Sequence, residues 1–243
     1  STSGFIHVSI SCRLEIDFVI FNWGIGIGSK TTTMIKISGL LLAETLNIVI
    51  IRKSSFLGGQ SEHAGGAVTC ADKNNIFFSE CAFMENKAKI GAVLGALSEN
   101  IINFYDSYFV LNSAVDNAGV AYMYVKNKIT FSTCRFEFST SFDGGCFYNH
   151  EEDEITLINS IFDYSVANRH GGIVVNFRLN KMKIENCYFH RTRASTDEYF
   201  FWLTAINEIN LKNNTFFYGD EGIGGLIFLY AVFNTINIRN STI

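Results

Sequence analysis

Proline is absent from all 243 residues. Each proline in a sheet removes a ladder donor, so a chain without any is suited to strands that pair without interruption. Long apolar runs are missing too: Lys36 and Glu44 break the best candidate, and no helix able to span a membrane is expected in this segment. Basic residues are few. With 19 Lys and Arg against 23 Asp and Glu, a net charge of −4 and no basic stripe, the chain lacks what a nucleic-acid partner would require. It shows no signal-peptide pattern and does not begin with Met. The expectation is therefore a piece of a longer polypeptide, with export signal and any anchor outside it.

What is abundant is phenylalanine, and it recurs on a period. Phe56, Phe83, Phe109, Phe136, Phe162, Phe189, Phe216 and finally Ile243 stand 27, 26, 27, 26, 27, 27 and 27 residues apart. A fixed period of this size marks stacked structural units. Seven residues before each anchor lie Val49, Ile76, Ile102, Ile129, Ile155, Met182, Ile209 and Ile236; five before lie Ile51, Phe78, Phe104, Phe131, Leu157, Ile184, Leu211 and Ile238. Both columns are wholly apolar, while the position between them becomes polar in the later repeats. This period-two alternation predicts a strand with one face in and one out.

Two corners frame that strand. The position two residues before the anchor is mostly small (Ser54, Cys81, Ser107, Cys134, Ser160, Cys187, Asn214, Ser241), and Asn159, Asn186, Asn213 and Asn240 immediately precede it in the last four repeats. Asn tolerates left-handed backbone, so a tight corner with amides stacked between coils is expected. Past the anchor, Gly65-Gly66, Gly91, Gly119, Gly144-Gly145, Gly171-Gly172 and Gly224-Gly225 precede short apolar runs that read as a further strand. The repeat at Tyr199-Phe200-Phe201-Trp202 keeps the run without the glycines.

Three short strands per 26 or 27 residues leave no room for a helix and describe one coil of a parallel β-helix. About nine coils are expected: residues 47–243 as regular repeats and residues 1–46 as irregular coil of the same solenoid. A propeller blade or tetratricopeptide unit needs a longer repeat. The glycine-rich stretch 24–28 is followed by no helical pattern, so it does not read as a phosphate cradle.

Phe83-Met84-Glu85-Asn86, Phe109-Val110-Leu111-Asn112 and Gly65-Gly66-Ala67-Val68 resemble the paired Phe-x-x-Asn and Gly-Gly-Ala-apolar motifs of polymorphic outer membrane protein repeats. The resemblance covers residues 47–243 and implies a right-handed, pectin-lyase-like β-helix of a surface protein. After Asn112 the Asn of the motif gives way to Ser139, Ser165, Thr192 and Gly219.

The remaining chemistry is sparse. Cys81, Cys134 and Cys187 share a column but fall in alternate coils, roughly 9.6 Å apart, beyond disulfide reach, so they are expected to be free; Cys12, Cys70 and Cys146 fit no pairing pattern. Asn213 and Asn240 begin glycosylation acceptor sequences. The acidic run Glu151-Glu152-Asp153-Glu154 lacks the spacing of a calcium loop and reads as a solvated turn. The fold class includes polysaccharide lyases and hydrolases, and Asp116, Asp143, Arg169, His170 and Asp197 recur at similar phase before the glycines. Polar residues are equally natural in such loops, and no catalytic motif accompanies them. The expectation is a non-enzymatic structural or adhesive segment of an exported or cell-surface protein, without cofactor or metal. Its expected partners are further coils, end-to-end copies of itself, or glycans. The alternative is a carbohydrate-binding or carbohydrate-cleaving β-helix, to be distinguished by acidic and aromatic residues converging on the outer face.

Overall fold

The alternating apolar columns become strands that pair only with their equivalents one period away. A computed structural model describes residues 6–22, 40–196, 199–217, 226–229 and 234–242. The described strands are arranged in four parallel sheets, two of nine strands, one of eight and one of six. One coil runs through Phe147–Glu151 in the first sheet, Glu154–Ile158 in the second, Ile161–Asp163 in the third and Val166–His170 in the fourth. Six successive coils between residues 41 and 194 carry all four strands, so most coils add a fourth strand to the three expected. Strands Ile6–Val8, Arg13–Asp17 and Ile20–Asn22 join the same sheets in register. The glycine-rich stretch 24–28, Gly219, the glycines at 224 and 225, and Ile243 lie outside the described residues.

The fourth sheet explains why the period alternates. Its strands Gln60–Ala64, Ser113–Asn117 and Val166–His170 have five residues, while Lys87–Ile90 and Thr140–Asp143 have four. The register shifts between them, as when a bulge inserts one residue into a strand. The longer strands belong to 27-residue coils and the shorter to 26-residue coils.

Inside, the expected columns stack. Phe56, Phe83, Phe109, Phe136, Phe162, Phe189 and Phe216 form one series, with neighbouring ring centroids 4.4 to 5.0 Å apart. Phe78, Phe104 and Phe131 form a second stack edge-on to the first. Offset-stacked and edge-to-face geometry adds to what burial alone contributes.

Among the described residues most corners are made by a left-handed residue. From first to second sheet, in the coils that follow Ser11, these are Leu46, Lys73, Glu99, Lys126, Glu152, Leu179 and Ile206, with φ from 51 to 57°. For residues other than glycine this conformation costs roughly 1–2 kcal/mol each, and hydrogen bonds from the next residue offset it. The next residues are Asn47, Asn74, Asn100, Asn127, Asp153, Asn180 and Asn207, all buried. Asn74 Oδ1 accepts from the backbone N–H of Asn47 at 3.1 Å and from its Nδ2 at 3.0 Å, and the pattern repeats from coil to coil. The expected corner at Asn159, Asn186 and Asn213 is also left-handed, and its exposed amides link Asn186 to Asn159 and Asn213 to Asn186 at 3.1 and 3.0 Å.

At the fourth-to-first corner most coils carry only glycine or alanine. Gly144 has φ +65°, and a Cβ on Gly145 would lie 2.1 Å from the carbonyl oxygen of Gly172. Coils therefore approach backbone to backbone there.

All six cysteines are free, and only Cys12 is exposed. In their column serine and cysteine alternate functionally: Ser107 and Ser160 hydroxyls accept from the amides of Cys81 and Cys134, while the thiols donate to backbone carbonyls. Burial pushes the thiols of Cys134, Cys146 and Cys187 up to about 12 and raises those of Cys70 and Cys81. A thiol-reactive dye is therefore expected to label Cys12 alone in native protein, the other five reacting only on unfolding. Rapid native labelling at Cys134 would contradict the inward placement.

Candidate functional site

The residues before the glycines come together only in part. Asp143 and His170 occupy the same register position in adjacent strands. Asp116 stands one residue earlier, in the bulge, and faces Lys89 at 3.8 Å instead. Asp197 lies outside the described residues.

Asp143 is almost wholly buried, and its carboxylate is surrounded by donors. Arg169 donates from Nε to Oδ1 at 3.0 Å and from Nη2 to Oδ2, while the backbone N–H of His170 reaches Oδ1 at 3.2 Å. This two-pronged pairing joins adjacent coils and engages both oxygens, leaving Asp143 poorly placed to exchange a proton with a ligand. The guanidinium of Arg169 also lies 4.7 Å above the ring of Phe142.

Beside this cluster the outer face of the first sheet carries aromatic columns. The His170 ring stacks on Trp202 at 3.9 Å, and Trp202 on Phe228 at 4.0 Å. Tyr122 and Tyr148 stack at 5.5 Å, and a neighbouring column runs Tyr124, His150, Phe177. Burial, and then the charge of Asp143, raises the Tyr148 phenol, while burial and then Arg178 hold the His150 imidazole below the usual histidine range. Acidic, basic and aromatic groups thus do meet along one edge of the outer face. The recurrence of Asp143, Arg169 and His170 was visible in the sequence, whereas Tyr122, Tyr148 and Trp202 lie in the apolar runs after the corner and do not stand out there as an outward column.

The acidic run requires a correction. Glu152 and Glu154 pair with Lys126 and Lys128 at 3.7 and 3.1 Å, and Glu151 pairs with Arg178, as a solvated turn should. Asp153 is instead fully buried in the asparagine ladder. Its Oδ1 accepts from the backbone N–H and Nδ2 of Asn127 at 2.8 and 3.0 Å, and its Oδ2 from the backbone N–H of His150 at 3.2 Å. The signal was available: the position nine residues before every anchor is Asn in seven repeats and Asp in this one.

Both glycosylation candidates, Asn213 and Asn240, are exposed, though Asn213 Nδ2, the atom a glycan would take, donates within the corner ladder. Among the described residues no group of three or more His, Cys, Asp or Glu is placed to hold a metal ion, and no helix is long and apolar enough to cross a membrane. No known protein family, curated protein or solved structure matches the chain.

Proposed function

We propose that this chain is a non-enzymatic structural or adhesive β-helix segment of a large exported or cell-surface protein, of the polymorphic outer membrane protein type its motifs resemble. The observation that carries this reading is the closure of its best polar cluster: both oxygens of Asp143 are engaged by Arg169 and His170. The outward ion pairs point the same way, since Lys126–Glu152 and Lys128–Glu154 each tie one coil to the next. Strand edges recruit further strands, which favours additional coils or end-to-end copies as partners. The outer aromatic column, in which Tyr124 and Phe177 are exposed, supports a second reading, a glycan-binding face, because sugar rings pack on exposed aromatic side chains.

Incubation with a panel of acidic and neutral polysaccharides tests both. The expected outcome is no new reducing ends or unsaturated products with any substrate. Turnover that disappears in Asp143→Asn would overturn the non-enzymatic reading. Binding without turnover, lost in Phe177→Ala, would establish the second.

A further inference from the structure

The asparagine of the Phe-x-x-Asn motif builds another internal ladder, at the corner between the third and fourth sheets. Asn86 Oδ1 accepts from the backbone N–H of Gly59 at 2.9 Å, and Asn112 Oδ1 accepts from the N–H and the Nδ2 of Asn86, each at 3.0 Å. Asn86 and Asn112 Nδ2 also donate to the carbonyls of Phe56 and Phe83 one coil back. Beyond Asn112 the same buried position holds Ser139, Ser165 and Thr192. We propose that the interior binds an ordered water molecule beside Ser139, where the first carboxamide of the ladder is missing.

The hydroxyls do not take over the ladder. Ser139 Oγ and Thr192 Oγ1 are buried without a hydrogen-bond partner. The N–H of Asn112 therefore does not find on the next coil the acceptor that Asn86 finds in Asn112. Nor do the coils draw together where the side chain shrinks. The N–H of Ser113 reaches the carbonyl of Asn86 at 3.0 Å, and the equivalent bonds from Thr140 to Asn112 and from Val166 to Ser139 are 3.0 and 2.9 Å. The backbone frame of an asparagine rung is thus kept around a serine, which lacks the carboxamide carbon and one of its two polar atoms. A water there has the partners that buried waters need. The Asn112 N–H donates to it, and it donates to the carbonyl of Phe109, the counterpart of the Phe83 carbonyl that accepts from Asn112 Nδ2. The Ser139 hydroxyl completes about three bonds, the usual number. The Ser139 and Ser165 hydroxyls both approach the Cys146 thiol, and the hydrogen bond there, 3.0 Å long, is made by Ser165. Leaving a buried donor and a buried hydroxyl bare is more costly than immobilising one water. Internal hydration of this kind is independent of what the outer surface binds.

A high-resolution crystal structure of the 243-residue chain tests it. Density for a single water is expected within hydrogen-bond distance of Asn112 N, Phe109 O and Ser139 Oγ. Magnetic relaxation dispersion of the water oxygen counts long-lived internal waters in solution. Ser139→Asn should lower that count relative to wild type, because the carboxamide fills the site and extends the ladder of Asn86 and Asn112. No density at that position in the wild-type chain would overturn the proposal, whether or not the variant folds. An unchanged count in folded Ser139→Asn protein would overturn it equally.

Discussion

Phe136→Ala is expected to destabilise the solenoid by about 3–5 kcal/mol, the range for deleting a buried aromatic ring. Phe136 lies between Phe109 at 4.7 Å and Phe162 at 4.4 Å, and it meets Phe131 and Phe147 edge-on at 5.3 and 5.5 Å. The neighbouring coils cannot close the gap, since backbone ladders on all four sheets hold them at a fixed spacing. Because each coil contacts only its neighbours, a void here also weakens the coupling between the two halves of the solenoid. Urea denaturation compares wild type and variant. A loss below about 1 kcal/mol would mean that the ring does not fill the core as described.

Asp153→Asn is expected to stabilise the protein, with a pH dependence that identifies the cause. Burial raises the Asp153 carboxyl from 3.8 to about 7, outweighing the hydrogen bonds from Asn127 and His150 that favour the anion; the neighbouring charge of Glu152 raises it further. The folded state thus holds this proton more tightly than the unfolded chain does. Below pH 4 the group imposes no ionisation penalty; between about 4 and 7 the unfolded chain ionises first and stability falls; above about 7 the full penalty is present. Asn at this position keeps the Oδ1 acceptor for Asn127 and, at the cost of the His150 N–H bond to Oδ2, restores the donor found in the rest of the ladder. The gain at pH 8 should be on the order of 3–4 kcal/mol and should vanish near pH 4. Thermal denaturation of both proteins across pH 4 to 8 gives the difference directly. A constant offset, or destabilisation at pH 8, would show that Asp153 is not the protonated member of the ladder.

Much of this architecture was legible in the sequence because inward positions are large and apolar. Ile129, Phe131 and Phe136 repeat as a pattern that only stacked coils satisfy, and their register in the structure follows the period. The fourth strand was not legible, for a physical reason: its inward residues are small, Ser61, Ala88, Ala114, Ser141, Ala167 and Ala194, and give no apolar alternation. The buried asparagine ladder was missed because a polar residue between strands reads as an outward turn. Asn100 and Asn127 are hidden by hydrogen bonding along the axis, which one coil alone does not reveal. Asp153 was further disguised by three truly solvent-facing glutamates. Of the candidate site, the pairing of Asp143 with Arg169 follows from their one-coil separation, whereas the bulge that turns Asp116 toward Lys89 depends on the extra residue of a 27-residue coil.

Electron cryomicroscopy of the native full-length protein tests most directly whether these repeats form a continuous structural rod. The expected density shows coils rising about 4.8 Å each along one axis, with the rings from Phe56 to Phe216 in a single column. Compact particles in which these residues do not stack coaxially, or coils whose phenylalanines face solvent, would contradict it.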